Sequence, residues 1–295
     1  MIGLTAEFRC IFGVSSAIEG INVGEYVTAL FDGLTIVTIY GKGGRVYWFV
    51  IQKLGKKYTY PDCPRYTKQD TSAAAEDLRN VQFQGITFGK LWESRESASM
   101  IVLEENTFKT WYRARLVLLG DSVHKMTPNI GQGANMAIED AAALTNLLRR
   151  LLKCSGSSLP SNAQIEMLLH QYREIRYWRV ESIYRRSRFL IRFQARDGLL
   201  NVLLSRYYAP YAKDLPADKA SRTIAGGVLC DYLPLPKRSG DGWESYRTNG
   251  QIWGWRAQAT VYSLILAIFY VSVGGWNLHS LMFPGRGSVS GFEQY

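Results

Sequence analysis

Residues 118–143 read LLGDSVHKMTPNIGQGANMAIEDAAA, an apolar run that ends in Gly120-Asp121, turns through Pro128, Gly131 and Gly133, and passes into an alanine-rich helix pattern without a gap. The run before Gly120, residues 116–119, is apolar throughout and reads as a buried strand of the parallel type. From Asn135 to Lys153 strong helix formers carry apolar residues at Met136, Ala137, Leu144, Leu147, Leu148 and Leu151. A helix beginning at this elbow offers unpaired backbone N–H groups and a partial positive charge. Two close glycines let that backbone approach a flat or bulky group, Asp121 can accept hydrogen bonds from sugar-like hydroxyls, and Pro128 stiffens the turn. These are the parts of a cofactor cradle. They are equally the parts of any strand–loop–helix connection, in which Asp and Gly serve only as turn and cap residues.

Upstream the pattern changes to β. EFRCIFGVSS (7–16) and ALFDGLTIVTIYGKGGRVYWFVIQKL (29–54) are rich in β-branched and aromatic residues, and the turn residues 41–44 separate two such runs. This predicts an antiparallel sheet with a hairpin. TKQDTSAAAEDLRN (67–80) fits a surface helix, and VQFQGITFGKLW (81–92) has strand or loop character. Downstream, CSGSSLP (154–160) stops the first helix, a second runs from about residue 163 to 192, and Pro- and Gly-bearing stretches at 215–220 and 231–242 mark irregular connections.

The chain has 295 residues, 47% hydrophobic, and a formal charge of +10. That length and apolar content can bury a substantial core. The charge suits nucleic acid, an anionic membrane surface or a phosphate-bearing ligand alike. Between Arg173 and Lys213 there are ten Lys or Arg against three acids, mixed with Tyr, Trp, Phe and Leu. No nucleic-acid module accompanies them, so helix packing, membrane headgroups or a partner helix account for them better and no nucleic acid is expected. The four cysteines are far apart in sequence without a C-x-x-C pair, His170 and His279 are isolated, and no metal site is expected. Residues 257–276, AQATVYSLILAIFYVSVGGW, are twenty in number and uncharged, with Trp253, Trp255 and Trp276 near their ends. This suits a membrane span of about 20 residues as well as a buried or interfacial helix. The basic region upstream would keep the main body on the cytosolic side.

RLVLLGDSVHKMTPNIGQGANMAIEDAAAL (115–144) resembles the second flavin motif of the FAD-dependent aromatic-hydroxylase-like monooxygenases. Residues 29–54, KYTYPDCPRYT (57–67), ITFGKLWESRESASM (86–100) and LEENTFKTW (103–111) resemble more closely the fungal monooxygenases of meroterpenoid and indole-diterpene pathways. The resemblance, which covers at least residues 7–150, implies a mixed α/β fold with an antiparallel substrate sheet over residues 1–107 and an FAD-binding strand–elbow–helix over 108–155. The residue pattern adds a basic helical and irregular region over 156–250 and a hydrophobic, membrane-associated segment over 251–295. The resemblance assigns Gly120 and Asp121 to the ribityl hydroxyls of FAD, and Pro128, Gly131, Gly133, Ala134 and Asn135 to the isoalloxazine ring. It implies epoxidation of the alkene of a hydrophobic prenylated substrate, with NADPH or NADH as reductant. The flavin carries that oxygen chemistry, so no protein nucleophile is required.

Arg9, in the strand segment FRC, is similar to an arginine with which related hydroxylases hold substrate, and Tyr40 ends a neighbouring strand expected to face the same pocket. Otherwise Arg9 is an edge-strand charge and Tyr40 a turn flank. His124 and Lys125 lie in the elbow, near flavin or substrate on the family pattern or as plain loop residues. Glu104 and Glu105, being adjacent, point to different sides and form no acid–base pair. Glu139 and Asp140 complement the dipole of the helix start. A departure stands beside these matches: the family's strand, G-x-G-x-x-G and helix for the FAD pyrophosphate are absent, and the glycines at 41–44 open no helix. The expectation is therefore the C-terminal part of a longer enzyme, active or non-catalytic.

Overall fold

The computed structural model describes residues 3–18, 23–156, 158–212, 220–221 and 223–234. The apolar segment 257–276 and His279 lie outside them. Met1–Lys219 and Gly227–Lys237 form one compact unit. Of a second unit, Ala220–Gly226 and Arg238–Tyr295, the described residues make one short helical turn.

Strands β1 (Thr5–Ser15), β2 (Tyr26–Phe31), β3 (Leu34–Tyr40) and β4 (Val46–Thr59) form most of the sheet. Helix α1 (Lys68–Asp77), a hairpin of β5 (Gln82–Phe83) and β6 (Ile86–Thr87), and helix α2 (Phe88–Glu93) follow. Next come β7 (Arg95–Thr107), a small antiparallel pair β8 (Tyr112–Arg113) and β9 (Leu116–Val117), and β10 (His124–Lys125). Helices α3 (Gly133–Ser155), α4 (Asn162–Gln194) and α5 (Leu199–Leu203) complete the unit. The main sheet runs β10-β7-β1-β4-β3-β2, with every pairing antiparallel.

Alternation on β1 sorts its side chains between two layers. Ile11 joins Trp48, Val50, Ile36 and Met100 beneath α1 and α2, whereas Phe8 and Cys10 join Ile51 and Leu103 beneath Ile191 and Ala195 at the end of α4. Trp48 and Trp111 are the largest wholly buried side chains among the described residues, and Trp48 lies in the sheet core. Its indole N–H donates to Ser15 Oγ at 2.8 Å, and that hydroxyl donates to the Leu91 carbonyl at 2.7 Å. Gly13 makes room for it: a Cβ there would stand 2.4 Å from the Trp48 ring and 2.5 Å from the Ser97 carbonyl.

Three expectations change in detail. The run 29–40 is two strands, because Asp32-Gly33 turns the chain between Phe31 and Leu34 with Gly33 at φ +74°. FGKLWE is helical, since Phe88, Leu91 and Trp92 fall on one buried face at helical spacing. The stretch 116–119 is not a buried parallel strand: β9 has two residues, pairs only with β8, and leaves Leu116 73% exposed and Leu118 44% exposed. Among the described residues it has no strand on its other side, so Leu116, Leu118 and Leu119 face outward while Val117 packs against the cluster of Trp111 and Val123.

Candidate functional site

The elbow departs from β9 at Gly120, whose φ of +60° few other residues adopt without strain. Leu119 N–H and carbonyl both engage Ser122 Oγ, at 3.2 and 2.7 Å, and close a 3-10 turn that leaves Asp121 exposed. After β10 a second 3-10 turn carries Pro128 and ends at Gly131, in the left-handed region at φ +61°, ψ 26°. This turn is anchored on α4: Thr127 Oγ1 and Ser187 Oγ are 2.6 Å apart, and Asn129 Nδ2 donates to Gln194 Oε1 at 2.5 Å.

Helix α3 begins at Gly133, and no side chain caps its N-terminus. Its first N–H groups therefore have no intrahelical acceptor. Ala134 and Asn135 are exposed beside them, and a Cβ built on Gly131 or Gly133 would meet nothing within 4 Å. An exposed carboxylate, open backbone at two glycines and an uncapped helix start fit a large polar cofactor bearing hydroxyls and a planar ring.

Behind the elbow lies a buried polar assembly. Asp140 accepts from the Gly120 N–H at 2.9 Å, lies 2.6 Å from His124 Nε2, and accepts from Arg176 Nε at 2.8 Å. Arg176 also reaches Glu139 at 2.5 Å, and Arg179 grips Glu139 through two bonds of 2.6 Å. Trp111 packs over His124 and Tyr172, with ring centroids 5.6 and 5.7 Å apart. Burial works to raise the Asp140 pKa, but the His124, Gly120 and Arg176 partners together hold it below the ordinary value.

The sequence assigned Glu139 and Asp140 to the helix dipole; the structure buries both in this cluster. The spacing carries the signal, since Met136, Glu139, Asp140, Ala143 and Leu147 recur at helical intervals and all are buried, so the acids occupy core positions. His124 is likewise wholly buried and faces no opening.

Arg9 lies on the α1–α2 side of the sheet. Its Nε donates to Gln52 Oε1 at 3.0 Å, and its guanidinium stands 5.9 Å from the centre of the Tyr66 ring. Strand β1 runs between β4 and β7, so Arg9 is not an edge-strand charge. Tyr66 in turn lines a cleft of about 350 Å³ between the segment 60–66 and β7, bordered by Met100, Val102, Glu104 and Lys125. Lys125 pairs with Glu104 there at 2.8 Å. Cys63 lines the same cleft, and burial first, then Glu104, raises its thiol pKa, which keeps it protonated at neutral pH.

Tyr40 is not brought to Arg9. Its strand pairs with β4, which separates it from β1, and the registers place Tyr40 opposite Val46 but Arg9 opposite Gln52. Six residues along the strands correspond to roughly 20 Å. Tyr40 is 3% exposed, in the apolar core, and its hydroxyl donates to Gln84 Oε1 at 3.0 Å. The expected shared pocket is therefore corrected: Arg9 reaches the cleft wall, whereas Tyr40 is a core residue. Among the described residues no cluster of His, Cys, Asp or Glu suits a metal ion, and no helix is long and apolar enough to cross a membrane.

Comparison with known proteins bears on the same region. The family described as FAD binding domain matches residues 48–187, which include the whole elbow. The FAD-dependent monooxygenase janM of Penicillium janthinellum is 74% identical over 288 residues, covering 97% of this chain and 61% of that protein. The FAD-dependent monooxygenase paxM of Penicillium paxilli is 64% identical, covering 97% of this chain and 59% of that protein. The chain thus spans about three-fifths of the length of these relatives. Among solved structures, HpxO of Klebsiella pneumoniae complexed with FAD and uric acid is similar in fold, with a TM-score of 0.60 and 21% identity over 77% of this chain and 55% of that one. Over the part it spans, the chain is thus similar to fungal FAD-dependent monooxygenases, and its residues 48–187 match the family described as FAD binding domain.

Proposed function

We propose that the protein acts as an FAD-dependent monooxygenase that epoxidises the prenyl alkene of a hydrophobic intermediate of the meroterpenoid or indole-diterpene class. The observation that carries this reading is the open elbow, in which Asp121, Gly131, Gly133 and the uncapped start of α3 converge. The chemistry that bound FAD supplies is transfer of electrons from NADPH or NADH to dioxygen, one atom of which enters the alkene while the other leaves as water. The chain's own residues bind and orient. Asp121 accepts hydrogen bonds from the ribityl hydroxyls, with Gly120 setting its direction. The N–H groups of Gly133, Ala134 and Asn135 would offer positive charge to the bound ring, and Pro128 and Gly131 would shape the turn beside it.

The cleft beside Lys125 receives the substrate. Its lining of Tyr60, Pro61, Tyr66, Met100 and Val102 supplies apolar surface for a prenyl chain and excludes water, and Arg9 holds the Tyr66 wall. Membrane attachment, with the main body facing the cytosol, belongs to the same proposal. It is supported by the uncharged segment 257–276 and by the exposed Leu199, Leu203, Tyr207 and Tyr211, which recur every four residues next to Arg206. A second reading, a non-catalytic chain that pairs with further polypeptide, is favoured by one observation, the outward-facing Leu116 and Leu118 beside the elbow.

Flavin titration tests the first reading. The purified protein is expected to quench added FAD fluorescence saturably, and Asp121→Ala to weaken uptake about ten- to a hundredfold, as befits loss of charged hydrogen bonds. A prenylated substrate is expected to stimulate NADPH oxidation. Absence of flavin uptake at saturating FAD, or uptake indifferent to Asp121→Ala, overturns the proposal in favour of the second reading.

A further inference from the structure

Asp140 joins the elbow to the ion cluster between α3 and α4. It is wholly buried, and both of its oxygens are engaged: Oδ2 by the Gly120 N–H at 2.9 Å and His124 Nε2 at 2.6 Å, Oδ1 by Arg176 Nε at 2.8 Å. His124 Nδ1 is buried without a hydrogen-bond partner among the described residues, so the ring's polar contact runs through Nε2 to Asp140. Gly120 is fixed from a second side, because a Cβ there would stand 3.0 Å from the Cβ of Ala137 on the same helix. The residue that follows is Asp121, exposed and, among the described residues, without a side-chain hydrogen bond to set its aim.

We infer that Asp140 is a positioning residue for cofactor capture: by holding the Gly120 N–H and His124 together, it fixes the direction in which the Asp121 carboxylate meets a polyhydroxylated ligand. This rests on the proposed FAD reading of the elbow. Holding α3 against α4 does not by itself require a carboxylate, since apolar side chains can replace buried ion clusters without loss of stability. Orienting a backbone N–H at left-handed φ does require a directed acceptor. Glu139 provides the contrast. It is buried in the same cluster and shares Arg176, yet its bonds run to Arg176 and Arg179 and none reaches the elbow.

The test is a double-mutant cycle read by FAD binding, with thermal stability measured on every variant. Asp140→Asn is expected to weaken FAD uptake at least tenfold in the otherwise native chain and less than twofold in an Asp121→Ala background. Glu139→Gln is expected to lower the melting temperature while leaving FAD affinity within twofold. Should Asp140→Asn fail to fold, His124→Ala takes its place, with an expected loss of at least threefold and the same collapse in the Asp121→Ala background. Equal losses in both backgrounds, or a loss in Glu139→Gln as large as in Asp140→Asn, overturn the inference.

A flavin-free readout separates it from the functional reading. Amide hydrogen exchange at residues 119–123 is expected to quicken at least tenfold in the Asp140 or His124 variant while β1 and β4 stay protected. Unchanged exchange at the elbow overturns the positioning role whether or not the native protein takes up FAD. Failure of native uptake with quickened exchange overturns only the flavin reading.

Discussion

Arg176 and Asp140 meet across the α3–α4 interface, guanidinium Nε to carboxylate Oδ1 at 2.8 Å, with neither side chain exposed to solvent. The pair is costly to desolvate and costly to break. Removing the cation leaves Asp140 buried with unbalanced charge while Glu139 keeps its pair with Arg179, a loss of about 3–5 kcal/mol. Arg176→Ala is therefore expected to lower the melting temperature by roughly 10 °C. Arg185→Ala makes the control, because its partner Glu181 sits on the same helix and the Arg185 side chain is 74% exposed. That exposed pair contributes at most about 0.5 kcal/mol. Calorimetry in which the two variants melt alike refutes the buried arrangement.

Asp140 sets a pH dependence whose sign follows from its depressed pKa. A carboxyl group in the unfolded chain titrates near pH 3.9. A folded-state value below that makes the contribution complete above about pH 4 and lost as pH falls through the lower, folded value. Thermal melts from pH 6 downward are expected to stay level to about pH 4 and then decline. Asp140→Asn is expected to start from a lower melting temperature and to decline less steeply below pH 4. A variant with an unchanged acid slope assigns the effect to other carboxylates.

Gly13 tests the packing of the sheet core. It is required there for close approach rather than for backbone conformation, because a methyl group would overlap both the Trp48 ring and the Ser97 carbonyl. Neither neighbour can retreat easily: Trp48 is held by Ser15 Oγ, and Ser97 belongs to β7, paired with β1 on that side. Gly13→Ala is expected to destabilise by about 1–3 kcal/mol, the usual cost of overpacking. Denaturant unfolding that leaves the midpoint in place contradicts the packing described.

The sheet and both long helices were legible because their signals are local. Periodicity placed α4 at about 163–192 against Asn162–Gln194, and the turn at 41–44 separates β3 from β4 as expected. What escaped was set by tertiary partners. The apolar run 116–119 carries the composition of a buried strand, yet burial depends on neighbours that composition does not name. Arg9 and Tyr40 both lie on strands, but their separation depends on register, and β4 intervenes between them. Of the candidate site, the turn and the helix start of the elbow could be read from its glycines and proline, whereas cofactor roles for its residues came only from the resemblance. The His124–Asp140–Arg176 cluster could not be read, because Arg176 lies 36 residues beyond Asp140 and meets it only when α4 folds back along α3.

The division between Arg9 and Tyr40 gives the last prediction, which concerns the cleft. Under the proposed function Arg9 steadies Tyr66, one wall of the space assigned to substrate, whereas Tyr40 supports the core beneath α1 and α2. Arg9→Ala removes a cation held over the Tyr66 ring and the bond to Gln52. Loss of such a wall contact weakens substrate binding more than the chemical step, so KM is expected to rise about threefold to tenfold, as for an interaction of about 1 kcal/mol, with kcat changed less than twofold. Tyr40→Phe removes only the hydroxyl bond to Gln84, expected to cost about 1 kcal/mol of stability and to leave KM unchanged. Steady-state NADPH oxidation with a prenylated substrate, set beside denaturant melts of the same two proteins, separates the roles. A KM that rises with Tyr40→Phe and not with Arg9→Ala refutes the assignment of the cleft, because the side of the sheet that meets substrate would then lie at the β3 end.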